Sequence, residues 1–259
     1  MNSRINTFIV GAQKAGTTSI YDWLGQHPDI DAPQEIKDYH FFNYDENFNK
    51  GIKYLEGFYK KNSKINIHCA VNYMYFGELS AKRIYNYNPD AKIIICLRNP
   101  INRAISAYKY FVRILKETNS FSEALQKEIN GELKSFLELS NNTYIEHGFY
   151  YDQIQTYLKY FSREQIHFVF FEELVDSSKQ ESLMNDVLSF LNIQTEYHFS
   201  FQQLNASGVP KSKLLNYIKH KTIFPKLFKP FLPFSYRRRL SKRIEELNIS
   251  DKNIEVDVS

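Results

Sequence analysis

Two short segments concentrate groups that bind anions. The first is Gly11-Ala12-Gln13-Lys14-Ala15-Gly16-Thr17-Thr18. It joins an apolar run to a stretch with helical spacing. Glycines allow a tight turn and close approach of an anion to the backbone. A helix start adds unpaired N–H groups and the positive end of the helix dipole. Lys14 contributes a full charge, and Thr17, Thr18 and Ser19 contribute hydroxyls. The pattern is not the Walker loop, because Lys14 precedes Gly16 by two residues instead of following the last glycine. The plain alternative is a helix-capping loop with an exposed lysine. The second segment is Arg98-Asn99-Pro100-Ile101-Asn102-Arg103-Ala104-Ile105-Ser106-Ala107-Tyr108. A guanidinium fork followed by the Ser106 hydroxyl suits a phosphate. Its alternative is an arginine that caps its own sheet edge.

These groups need elements to hold them. Thr7–Val10 reads as a buried strand, and Thr17–Leu24 as a helix with Ile20, Trp23 and Leu24 on one face. His27-Pro28 ends that helix. Residues 28–62, punctuated by Pro28, Pro33, Gly51 and Gly57, read as irregular. Further strands are expected over Ile65–Val71, Ala91–Leu97 and Ile166–Phe171, and helices over Ser80–Tyr87, Ile101–Leu115, Tyr150–Phe161 and Gln180–Leu191. The run Ile93-Ile94-Ile95 suits a strand covered on both faces. Strand–helix alternation predicts an α/β fold: one domain, residues 1–259, with a central parallel sheet and helices on both faces. Arg98 then stands at the carboxyl end of a strand, where open α/β sheets bind ligands.

The 259 residues carry a net charge of +4, a balance that calls for no nucleic-acid partner. No stretch reaches the roughly 20 apolar residues that span a bilayer. The start, Met1-Asn2-Ser3-Arg4-Ile5, lacks the apolar core of a secretory signal. Cys69 and Cys96 lie in strand-like runs and read as buried free thiols, which places the chain in a reducing cytoplasm. The segment 206–243 has no Asp or Glu and interleaves basic residues, among them Lys211, Arg237 and Arg239, with Phe224, Phe228 and Tyr236. It is expected to pack on or beside the domain. Three readings stay open for it: contact with an anionic glycan, peripheral docking on an anionic inner membrane surface, or a solvated basic face.

The first segment, extended to Phe8-Ile9-Val10 and Ser19, resembles the 5′-phosphosulfate loop of sulfotransferases that use 3′-phosphoadenosine 5′-phosphosulfate (PAPS). The second matches that family's 3′-phosphate motif, Arg-x-Pro-x-x-Arg-x-x-Ser-x-Tyr, at Arg98, Pro100, Arg103, Ser106 and Tyr108. Gly148-Phe149-Tyr150, the strand ending in Glu172-Glu173-Leu174, and Asn205–Ser212 are also similar to family segments. The likeness is to the bacterial and heparan-sulfate-type branch. It implies that Lys14, Ala15, Gly16, Thr17, Thr18, Ser19, Arg98, Ser106, Tyr150, Ser207, Gly208 and Lys211 hold PAPS or its product PAP. It further implies that Lys14 stabilises the leaving phosphate, and that no metal is required.

Sulfonyl transfer to a hydroxyl or amine also needs a base. The branch resembled places a glutamate in a Lys-Glu-x-x-Phe-Phe stretch, which here reads Lys37-Asp38-Tyr39-His40-Phe41-Phe42. Asp38 takes that place with a side chain one methylene shorter, and base catalysis is sensitive to reach. His40 and His68 are the alternatives. Cys69 stands where the branch has a lysine. Phe41, Phe42, Asn72, Tyr73, Tyr75 and Phe76 are candidates to line an acceptor cleft, or else loop packing. The acceptor is expected to be a saccharide or glycolipid, with a sterol or phenol as the alternative. Two competing functions are a non-catalytic PAP-binding protein and a P-loop kinase that uses ATP.

Overall fold

Every residue of Thr7-Phe8-Ile9-Val10-Gly11 is buried, as a strand covered on both faces requires. In a computed structural model this run is β1, and the structure describes residues 4–60, 63–194, 196–201, 209–212, 243, 248–250 and 256. The expected segment 206–243 falls almost wholly outside these residues, as do Ser207 and Gly208. The chain divides into two compact units. One comprises residues 1–103 and 146–202, the other 104–145 and 203–259.

The first unit is an α/β structure. Its strands are β1 (Thr7–Gly11), β2 (Ile30–Asp31), β3 (Ile65–Cys69), β4 (Lys92–Leu97) and β5 (Ile166–Phe170). All pair in parallel, in the order β2-β3-β1-β4-β5. The helices between them include α1 (Thr17–Leu24), α2 (Asp45–Phe48), α3 (Ile52–Glu56), α4 (Gly77–Tyr87) and α5 (Pro100–Arg113), the last continuing into the second unit. The second unit adds α6 (Phe121–Ile129) and α7 (Phe136–Asn142). The chain then returns to the first with α8 (Tyr150–Leu158), α9 (Phe171–Leu174) and α10 (Gln180–Leu191). A two-stranded antiparallel pair, β6 (Val209–Pro210) with β7 (Ile249–Ser250), belongs to the second unit.

The expected strands and long helices are present, with ends shifted by a few residues. The stretch 28–62 departs from expectation, because it contains β2, α2 and α3. Cys69 and Cys96 are free and fully buried, and burial pushes the Cys96 thiol up to about 12. The core of the first unit gathers Phe8, Ile9 and Val10 of β1 with Ile93, Ile94 and Ile95 of β4. The second unit has its own core around Tyr108, Phe111, Phe121 and Tyr144. From β1 the chain runs to β2 and β3 on one side of the sheet, then crosses to β4 and β5 on the other, so the strand order reverses beside β1. The crevice beyond its carboxyl end is therefore where this topology binds ligands.

Candidate active site

The loop after β1 is shaped by two residues of left-handed backbone, Lys14 at φ 65° and Gly16 at φ 88°. Turns of this kind aim successive N–H groups into one concavity, an arrangement that binds anions. Gly16 is also the N-cap of α1, and no side chain caps that helix. The N–H groups of Ser19 and Ile20 bond to the Gly16 carbonyl at 3.0 and 3.2 Å. Those of Thr17 and Thr18 have no intrahelical acceptor and remain for a ligand. The loop is fixed from two sides. The Ala12 N–H donates to the Cys96 carbonyl at 2.7 Å, and Gln13 Nε2 donates to Asn72 Oδ1 at 3.4 Å. A Cβ on Gly11 would meet Met74 Cβ at 2.7 Å and the Val71 carbonyl oxygen at 3.0 Å. The β3–α4 connection thus lies directly against this loop.

Arg98 follows β4, the neighbour of β1. Its Nη1 donates to the Lys14 carbonyl at 3.2 Å. Its guanidinium lies 4.0 Å from the centroid of the Phe171 ring. Partial burial draws Arg98 below its ordinary value, while Glu172 and Tyr150 oppose that shift. The Tyr150 hydroxyl donates to the Arg98 carbonyl at 2.9 Å. Asn99 caps α5 by accepting from the N–H groups of Ile101 and Asn102, each at 3.1 Å. Pro100 takes the first helical position, which suits its fixed φ. Arg103 is fully buried. The structure therefore brings Lys14, Ala15, Gly16, Thr17, Thr18, Arg98 and Tyr150 to one end of the sheet, with Ser19 one turn into α1. Ser106 is half-buried on the part of α5 that belongs to the second unit, and Lys211, exposed in that unit, bonds through its N–H to the Asn248 carbonyl at 2.5 Å.

Asp38 is held at φ 59°, and its N–H donates to the Cys69 carbonyl at 2.8 Å, at the carboxyl end of β3. Its side chain is 45% exposed, and Lys37 Nζ lies 2.7 Å from its Oδ2. His40 is half-buried, and its carbonyl accepts from Asn47 Nδ2 at 3.0 Å. His68 is enclosed instead. Its Nε2 pairs with the Tyr73 hydroxyl at 2.8 Å, and its Nδ1 faces the Tyr59 hydroxyl at 3.3 Å. Burial pulls it down to about 4, so it is neutral. Phe41, Phe42 and Tyr73 are fully buried. The Tyr73 hydroxyl accepts from the N–H groups of Phe41 and Phe42, each at 3.1 Å. In this arrangement those three side chains are part of the core. Asn72 is buried against Gln13, and half-buried Phe76 packs edge-on to Tyr75.

Sequence reasoning missed Lys37, Phe171 and Glu172. The last of these accepts from the Asn99 N–H at 3.3 Å. Their signal was position: Phe171 and Glu172 directly follow β5, the strand beside β4. Among the described residues, no group of three or more His, Cys, Asp or Glu side chains is placed to hold a metal ion, and no helix is long and apolar enough to cross a membrane.

Comparison with known proteins bears on the fold and the family. Residues 4–236 match the sulfotransferase domain family. The chain is 28% identical over 195 residues to heparan sulfate glucosamine 3-O-sulfotransferase 6 of Mus musculus, covering 74% of this chain and 54% of that protein. It is 30% identical over 200 residues to heparan sulfate glucosamine 3-O-sulfotransferase 5 of Homo sapiens, covering 71% and 52%. The match thus spans about half the length of these relatives. The crystal structure of a sulfotransferase from Alicyclobacillus acidocaldarius superposes with a TM-score of 0.68 at 30% identity, covering 93% of this chain and 96% of that one. On these matches, the chain belongs to the sulfotransferase domain family.

Proposed function

We propose that the protein transfers a sulfonyl group from PAPS to a hydroxyl, or an amine, of a saccharide acceptor. The observation that carries this reading is the hydrogen bond between Arg98 and the Lys14 carbonyl at 3.2 Å. It joins the two anion-binding motifs at the carboxyl ends of β1 and β4. PAPS carries a 5′-phosphosulfate and a separate 3′-phosphate, so it calls for two such motifs. The residues present suit the donor: backbone N–H groups of Thr17 and Thr18 at a helix start, the Lys14 ammonium and the Arg98 guanidinium.

In the reaction, an acceptor oxygen attacks sulfur and the bond from sulfur to the bridging oxygen breaks. The electron pair of that bond stays on PAP. As in phosphoryl transfer, positioning and charge stabilisation supply most of the catalysis. Lys14 and the loop amides offset the charge that grows on the leaving phosphate. Asp38 takes the acceptor proton, and its exposed carboxylate beyond β3 supports this role. The neutral, enclosed His68 does not suit it. The saccharide assignment rests on the heparan sulfate glucosamine sulfotransferases among the relatives.

The test has two parts. Calorimetric titration with PAP, ATP and ADP should show binding of PAP alone, and ATP preference would overturn the donor assignment. PAP release from PAPS is then measured with glucosamine oligosaccharides, p-nitrophenol and a sterol. Turnover confined to the phenol or sterol would overturn the saccharide.

A further inference from the structure

Lys37 and Asp38 are adjacent in the chain, yet their charged ends meet. Side chains of neighbouring residues normally diverge, and the left-handed turn at Asp38, φ 59°, brings these two together. The turn is anchored by the bond from the Asp38 N–H to the Cys69 carbonyl at 2.8 Å. Aspartate tolerates this conformation better than most residues. The two ends of the pair differ in environment. The Lys37 side chain is only 11% exposed, whereas that of Asp38 is 45% exposed.

Lys37 has other groups near it, but they are committed elsewhere. From α1, Asp22 Oδ1 accepts from Gln34 Nε2 at 2.8 Å, and the Tyr21 hydroxyl donates to the Pro33 carbonyl at 2.8 Å. From β3, Cys69 offers a fully buried thiol that burial pushes up, and which therefore stays neutral. His68, which feels the charge of Asp38, is neutral as well. Burial alone would lower the Lys37 ammonium. Asp38, with a smaller contribution from Asp22, outweighs this and holds it above its ordinary value. The ammonium therefore stays charged at neutral pH and directs its bond to one oxygen of Asp38.

We propose that Lys37 is a positioning residue for the base, which clamps Oδ2 of Asp38 and leaves Oδ1 to take the acceptor proton. It also supplies a positive charge beside Cys69, a position that carries none of its own. This inference rests on Asp38 as base.

The test uses the full chain and slow hydrolysis of PAPS, in which water replaces the acceptor. PAPS and water give PAP and sulfate, and Asp38 takes the water proton. Lys37→Ala, Lys37→Met, Lys37→Arg and Asp38→Asn are compared, with PAP affinity measured for each. Lys37→Met fills the space without the charge and serves if Lys37→Ala does not fold. The expected result is a fall in hydrolysis of roughly 10- to 100-fold for Lys37→Ala, Lys37→Met and Asp38→Asn, with PAP affinity held. Lys37→Arg recovers part of the rate. Ethylammonium restores Lys37→Ala, and ethanol of similar size does not, which separates charge from packing. Uncharged Lys37 variants within twofold of wild type, beside an impaired Asp38→Asn, would overturn the clamp alone. An undiminished Asp38→Asn would instead overturn Asp38 as the base.

Discussion

Arg98 Nη1 donates to the Lys14 carbonyl oxygen across 3.2 Å, so the two segments proposed to bind the phosphates of PAPS are joined directly. The same guanidinium stacks on Phe171 at 4.0 Å. Arg98→Ala should therefore cost more than a lost surface charge. Truncating one partner of a hydrogen-bonded charge contact costs about 3 kcal/mol, on the order of a hundredfold in PAP affinity. Arg98→Lys keeps the charge but loses the planar fork and the stack, so it should recover little of this. Phe171→Ala removes only the stack, worth about 1 kcal/mol. Titration calorimetry with PAP measures all three. Equal affinities for Arg98→Lys and wild type would show that the fork is not used.

Gly16→Ala tests the loop backbone. At φ 88° an alanine is strained, and its Cβ would lie 2.9 Å from Leu174 Cδ1. Such backbone strain costs about 2 kcal/mol, or about 4–8 °C in Tm for a chain of this size. PAP affinity should fall too, since the turn at Gly16 aims the N–H groups of Thr17 and Thr18. Thermal unfolding with and without PAP checks both. A stable variant with full affinity would mean that the left-handed turn is dispensable.

The two segments around Lys14 and Arg98, proposed to hold PAPS, are legible as strand–turn–helix units because their pattern is local. Each is a strand end, a turn and a helix start within a dozen residues. The parallel sheet was legible for a similar reason, in the apolar runs of β1 and β4. The short α6 and α7 were not recognised, although each begins with a capping box, Ser120 with Glu123 and Ser135 with Glu138. Phe41, Phe42 and Tyr73 show the limit of residue type. An aromatic side chain reads alike in a cleft and in a core, and only the three-dimensional partners of the Tyr73 hydroxyl separate the two. Lys37 was hidden because its bond to Asp38 depends on a φ angle that β3 imposes from about thirty residues away.

Tyr73→Phe distinguishes a core strut from an acceptor contact. Its hydroxyl accepts from two buried N–H groups and donates to the Tyr39 carbonyl at 3.2 Å. Removing it leaves the Phe42 N–H without that acceptor, at about 1–3 kcal/mol, while the Phe41 N–H keeps the Tyr39 carbonyl at 2.8 Å. The variant should lose stability in denaturant titration by about 1–3 kcal/mol, while PAP binds with unchanged affinity. A change in acceptor KM at full stability would instead place Tyr73 in the cleft.

His68 makes stability depend on pH. In the folded protein burial lowers it to about 4, against an ordinary value near 6.5. Between these values the unfolded chain binds a proton that the folded protein refuses, so stability rises with pH across this window. The contribution is fully present above about pH 6.5 and is lost as pH falls toward 4. The difference amounts to at most about 3 kcal/mol. Urea unfolding of the wild type at pH 7 and pH 5 should show this loss. In His68→Gln, which keeps polar atoms toward Tyr59 and Tyr73 but cannot titrate, the loss between the two pH values should shrink. An identical pH dependence in both proteins would show that His68 takes up its proton as readily in the folded state as in the unfolded chain, which is incompatible with its enclosure by Tyr39, Tyr59 and Tyr73.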